Sequence, residues 1–167
     1  MKLIRGDNNR FLLLAPRSAS HSFAAAALEQ WHADAFAAWR ASSGDEHPAR
    51  YLPNLVYPMD CTTPAIIVRN PVERFRSACA QRGVVSVDAF LDSPPFGLLP
   101  GGSLVRPFLF ETQLQACADW LGITVALPQI DATDEADKPV LTPEQEARVR
   151  ELFAPDVTLW ESLQLPR

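Results

Sequence analysis

Lysine is nearly missing from this chain: its 15 basic residues are 13 arginines and only Lys2 and Lys138. Set against 20 acidic residues they leave a net charge of −5. That balance excludes the broad positive footprint with which a protein tracks along nucleic acid or an anionic membrane. The arginine skew itself has two readings, fixed bidentate contacts to anions or the base composition of the genome. Cysteine is scarce too. Cys61, Cys79 and Cys117 are an odd number with no CxxC spacing, which excludes a disulfide framework and a zinc site. Cys79 and Cys117 stand among apolar residues at helical spacing and read as small core residues. No apolar run approaches the roughly 18 residues of a membrane span. The run Phe11–Ala15 is too short for the core of a signal peptide, so the expected location is cytoplasmic. Internal repeats and low-complexity segments are absent as well.

What remains is ordinary globular composition, 47% apolar and 21% charged, over 167 residues. That length favours one domain over residues 1–167. Phe11–Ala15 and Ala65–Val68 are unbroken apolar runs that predict strands buried on both faces, as in a parallel sheet. The spacing of Leu28, Trp31, Ala35 and Trp39 predicts a long helix over about 22–41. Residues 42–48 read as a loop, and 51–57 fit either a strand or irregular structure. Asn70, Pro71 and Glu73 predict a helix start with an N-cap and a capping box. A short helix is expected over Val87–Leu91, then a Pro/Gly-rich loop over Ser93–Ser103, which could form a mobile rim over an acceptor. A strand follows over Leu104–Phe110. Thr112 is the expected cap of a helix ended by Gly122, and residues 130–138 form an acidic, solvated loop. Thr142–Gln145 opens a helix to about Phe153, and residues 155–163 add a final turn or two. Strands alternating with helices argue for an α/β domain of three layers, a mainly parallel sheet flanked by helices.

Two strand-to-helix junctions hold the polar residues that need a chemical explanation. At the first, the apolar run meets Pro16-Arg17-Ser18-Ala19-Ser20-His21-Ser22 and then a helix. A helix start offers backbone N–H groups and a partial positive charge, which suits an anion. Three serines and Arg17 add donors; the bland alternative is a serine-capped helix beside a solvated arginine. The pattern GxxxxGKS/T is missing, so this is not a Walker A loop. At the second, Arg69 ends a buried strand on the edge where open α/β sheets bind ligands. The helix after it places Arg74, Ser77 and Gln81 on one face. Arg76 and Arg82 read as solvated.

Together PRSASHSF (16–23) and VRNPVERFRSA (68–78) resemble the two cofactor motifs of sulfotransferases that use 3′-phosphoadenosine 5′-phosphosulfate (PAPS). The likeness is strongest to the carbohydrate branch that includes the heparan sulfate 2-O-sulfotransferases. In that family a loop of the type PK(T/S)(G/A)(S/T)TS wraps the 5′-phosphosulfate, and VR(D/N)PxERxxSx binds the 3′-phosphate. Pro16, Ser18, Ala19, Ser20, Ser22 and Phe23 match the first; Arg69, Asn70, Pro71, Glu73, Arg74 and Ser77 match the second. Ser86–Phe90, Arg106–Leu114 and Leu141–Leu159 resemble further family segments, the last with Phe153 for a tyrosine and Asp156 retained. Two positions depart: Arg17 replaces the loop lysine, and His21 replaces a threonine.

The resemblance implies a P-loop nucleotide-hydrolase-like fold and transfer of a sulfuryl group from PAPS to a hydroxyl, such as that of a carbohydrate or small-molecule acceptor. It implies that Arg17, Ser18, Ala19, Ser20, His21 and Ser22 hold the phosphosulfate, and that Arg69 and Ser77 hold the 3′-phosphate. Arg17 keeps the charge of the family's lysine, and no metal, nucleic acid or membrane is required. A base must take the acceptor's proton, and histidine suits that at neutral pH. His47 is favoured because the 2-O-sulfotransferases carry a catalytic histidine in the comparable region. His21 and Glu46 are alternatives, and His32 reads as structural or exposed. The competing readings are a phosphoryl-transfer enzyme and a non-catalytic binding protein that keeps the fold.

Overall fold

The two apolar runs without a polar face lie side by side at the centre of one sheet. The computed structural model describes residues 2–15, 17–42, 46–53, 64–83, 86–94, 105–130 and 133–165. Its four strands are β1 (Lys2–Arg5), β2 (Phe11–Leu14), β3 (Ala65–Val68) and β4 (Arg106–Leu109), in the order β1-β2-β3-β4. β2 and β3 are parallel, with Leu12 opposite Ala65 and Leu13 opposite Ile66. The Arg106 amide donates to the Pro64 carbonyl at 2.7 Å, tying the start of β4 to the approach of β3. β1 is a strand that periodicity does not predict: only Leu3 and Ile4 are apolar in it, and antiparallel pairing with β2 is what defines it. The result is an α/β fold with a mostly parallel sheet.

The chain divides into two compact units, each made of two stretches: Met1–Ile67 with Ser103–Asp131, and Val68–Gly102 with Ala132–Arg167. The first holds the sheet, α1 (Ser20–Trp31), α2 (Ala33–Ala41) and α5 (Leu114–Leu121). Phe23–Leu28 is buried all round α1, and its four alanines allow close packing against the core. The helix expected over 22–41 is broken at His32, whose backbone (φ −142°, ψ 60°) leaves helical space between α1 and α2. The two halves bury different amounts: α1 is sunk in the core, while α2 buries only Trp39. Thr112 does not cap α5. Gln113 stands at the cap position, and its side-chain oxygen turns back to accept from the Leu109 amide at 2.9 Å. Gly122 does end that helix, left-handed at φ +83°, with the Asp7 carboxylate where a Cβ would lie.

The second unit packs α3 (Pro71–Gln81), α4 (Val87–Asp92), α6 (Pro143–Leu152) and α7 (Ala154–Gln164) around Val72, Phe75, Cys79, Leu91, Val149 and Phe153. Asn70 caps α3, accepting from the Val72 and Glu73 amides, and Thr142 and Gln145 close a reciprocal capping box on α6. The final turn or two is a full helix, α7. Glu73 does not close a box on α3. Its carboxylate binds Arg76 at 2.6 Å and Lys138 at 3.1 Å, and Glu135 completes the clip with both cations at 2.7 Å. Arg76 is therefore not solvated, and the acidic stretch around Glu135 fastens to α3. Position 104 of β4, residues 54–57 of the ambiguous segment, most of the Ser93–Ser103 loop, Pro16 and Cys61 lie outside the described residues.

Two predictions arise here. Burial raises the Glu73 carboxyl, but the hydrogen bonds and charges of Arg76 and Lys138 outweigh it and hold the group below the ordinary carboxylate value. A depressed folded value stabilises fully above the unfolded value and is lost as pH falls through the folded one. Lys138→Met should thus lower the melting temperature at pH 7, and the gap to the parent should narrow as pH falls below the ordinary carboxylate range; a gap that persists unchanged would show the clip is not electrostatic. The second concerns the thiols. Burial pushes Cys79 up to about 11 and Cys117 up to about 12. At pH 8 about one in a thousand of the former and one in ten thousand of the latter is thiolate. Iodoacetamide followed by peptide mapping should leave both unlabelled in buffer and label both in urea.

Candidate functional site

Leaving β2, the chain makes a turn that glycine would ordinarily supply, without using glycine. Arg17 (φ 61°) and Ala19 (φ 58°) are both left-handed, on either side of Ser18. Each such residue costs roughly 1–2 kcal/mol, so the surrounding packing must hold the shape. Alternating hands of this kind gather backbone amides around an anion-sized concavity. α1 starts directly from the turn, with Ala19 at its cap position, a residue whose methyl cannot bond the first amides. Ser18 is only 2% exposed, and its Oγ has no hydrogen-bond partner among the described residues. A buried hydroxyl left without a partner is expensive unless something else binds it.

His47 reaches this turn from the far side of the α1–α2 excursion. It caps the short 3-10 turn Pro48–Arg50, where its Nδ1 accepts from the Ala49 amide at 3.0 Å. Its Nε2 lies 3.3 Å from Ser20 Oγ. The His21 ring stacks on it, with centroids 3.7 Å apart and planes at 26°. Glu46 turns elsewhere. Its carboxylate accepts from Arg50 at 3.1 Å and from the Tyr51 hydroxyl at 3.2 Å, and its carbonyl from Trp39 Nε1 at 2.9 Å. His32 lies at the other end of α1, in a cleft of about 300 Å³ with Leu3, Arg5, Asp7 and Trp31. The fold thus brings Ser20, His21 and His47 together beside Arg17 and Ser18.

No protein-family model, curated protein or solved structure matches this chain.

The second motif belongs to the other compact unit. Arg69 follows β3 and is half-buried. Ser77 is buried on α3, its hydroxyl 3.1 Å from that of Thr133. Arg74 is spent inside the unit. It is 1% exposed, ion-paired to Asp156 at 2.9 Å and stacked over the Phe153 ring at 5.4 Å. Burial lowers its pKa and the Asp156 charge opposes that, but a guanidinium remains charged at any ordinary pH. Motif positions 74, 153 and 156 therefore form one internal structural pair with its aromatic cover. Sequence reasoning missed Thr133 and the Ala49 amide. Pro48, set directly after His47, was the local hint to the second, because proline favours the first position of a helical turn. Among the described residues, no group of three or more His, Cys, Asp or Glu side chains could hold a metal ion, and no helix is long and apolar enough to cross a membrane.

Proposed function

We propose that this chain binds PAPS and transfers its sulfuryl group to a hydroxyl acceptor, carbohydrate or small molecule, on a P-loop nucleotide-hydrolase-like arrangement. The observation that carries the reading is the left-handed turn Arg17–Ala19 at the start of α1, with Ser20, His21 and His47 gathered beside it. PAPS supplies the activated sulfuryl group. In the transfer the bond from sulfur to the phosphate oxygen breaks, a bond from sulfur to the acceptor oxygen forms, and 3′,5′-ADP leaves. Arg17 balances the charge that builds on the leaving phosphate, and the amides and hydroxyls of residues 18–22 orient it. The acceptor's proton passes to a base, with His47 and His21 at the turn and Glu46 beside His47 in sequence as the candidates. Arg69 and Ser77 are assigned to the 3′-phosphate on the strength of the motif resemblance.

Titration calorimetry with 3′,5′-ADP, 5′-AMP and ATP tests this. 3′,5′-ADP should bind at least tenfold more tightly than 5′-AMP, because a charge-assisted contact to the extra phosphate is worth at least that factor. Arg69→Ala should erase the preference. Equal affinities in the parent protein would overturn the nucleotide assignment, and labelled-sulfate transfer then separates an enzyme from a binding protein.

A further inference from the structure

The ring of His47 is committed at both nitrogens, and that fixes what it can do. Nδ1 accepts from the Ala49 amide, so in neutral imidazole the hydrogen must sit on Nε2. Nε2 then donates to Ser20 Oγ. A hydrogen on Nδ1 would set two N–H groups against each other, so the Ala49 amide selects the Nε2–H tautomer. With its oxygen accepting from His47, Ser20 keeps its own hydrogen to give. Ser20 is the first residue of α1 and follows directly on the left-handed Ala19.

Resting on the proposed reading of this turn, we infer that His47 is not the base but a positioning residue: a tautomer-locked donor that aims the Ser20 hydroxyl at an anionic oxygen held by residues 17–22. The relay runs Ala49 N–H to Nδ1, Nε2–H to Ser20 Oγ, and Ser20 O–H to a phosphate or sulfate oxygen. Every donor has an acceptor, and no proton is transferred. His21, stacked on the ring, keeps the imidazole plane from turning. The acceptor's proton then falls to a group other than His47.

Two measurements decide it. In long-range proton–nitrogen NMR spectra of the full chain at pH 7, His47 should show hydrogen on Nε2 and a bare Nδ1; hydrogen on Nδ1 would overturn the proposal. In calorimetry with 3′,5′-ADP, Ser20→Ala and His47→Ala should each weaken binding about tenfold, and the double variant should be no weaker than the worse single one. His47→Gln keeps an N–H donor but cannot serve as a base, so it should bind within about threefold of the parent and retain turnover with its acid limb intact. If His47→Gln and His47→Ala lose turnover equally while nucleotide binding is unchanged, His47 is the base and the relay is wrong. If the parent does not bind 3′,5′-ADP, the nucleotide reading fails by itself, and the same variants are titrated with pyrophosphate. The same order of affinities keeps the relay, and no pyrophosphate binding removes it too.

Discussion

Asp156→Asn is expected to destabilise the unit built on α3, α6 and α7 by about 3–5 kcal/mol, the usual effect of stranding one member of a buried ion pair. Arg74 and Asp156 are 2.9 Å apart with side chains 1% and 2% exposed, so water cannot replace the lost carboxylate. Arginine cannot escape by losing its proton. Domains of this size are stable by only about 5–15 kcal/mol, so the change removes a large share of the total. Urea unfolding followed by alkylation of Cys79 reads this unit, while Cys117 reads the sheet unit. The Cys79 midpoint should fall steeply and the direct loss should register there. Replacing both partners with apolar residues, Arg74→Met with Asp156→Leu, should recover much of the stability, because the charge and its desolvation are removed together. A loss below about 1 kcal/mol for Asp156→Asn would mean the pair is hydrated.

Arg17→Ala is the change with the largest expected effect on chemistry. On the proposed reaction it should lower turnover by about 10²–10³, the effect of removing one preorganised donor from a developing anion. Alanine and arginine bear a similar backbone penalty at φ 61°, so the substitution reports on the guanidinium rather than on the turn. Arg17→Lys should keep most of the activity, since it restores the charge at the position where the resembling family has lysine. Turnover within about threefold of the parent for Arg17→Ala would remove Arg17 from the reaction.

Features set by short stretches of chain were legible before the structure. Phe11–Leu14 and Ala65–Val68 could only be buried strands, and Asn70, Thr142, Gln145 and Gly122 each act within one turn of helix. Features set by distant partners were not. β1 exists because β2 pairs with it, and the break at His32 has neither glycine nor proline to announce it. Arg74 could be placed on one helix face with Ser77 and Gln81, but its partner, Asp156, is far away in sequence and nothing local announces it. At the candidate site the sequence could nominate Ser20 and His47 but not say that they touch. Still less could it show that an amide two residues past His47 decides which ring nitrogen carries the hydrogen.

The interleaving of the two units has a consequence at the ribosome. β4 is synthesised only after α3 and α4 have emerged, yet it pairs beside β3 in the sheet. At ordinary rates of translation the nascent chain therefore waits on the order of seconds with one edge of Ala65-Ile66-Ile67-Val68 unpaired. An apolar strand edge left open is a template for joining another chain. Crowded polysomes at high expression should favour such joining over folding, and weaker initiation, which spaces the ribosomes on the message, should raise the yield of folded protein.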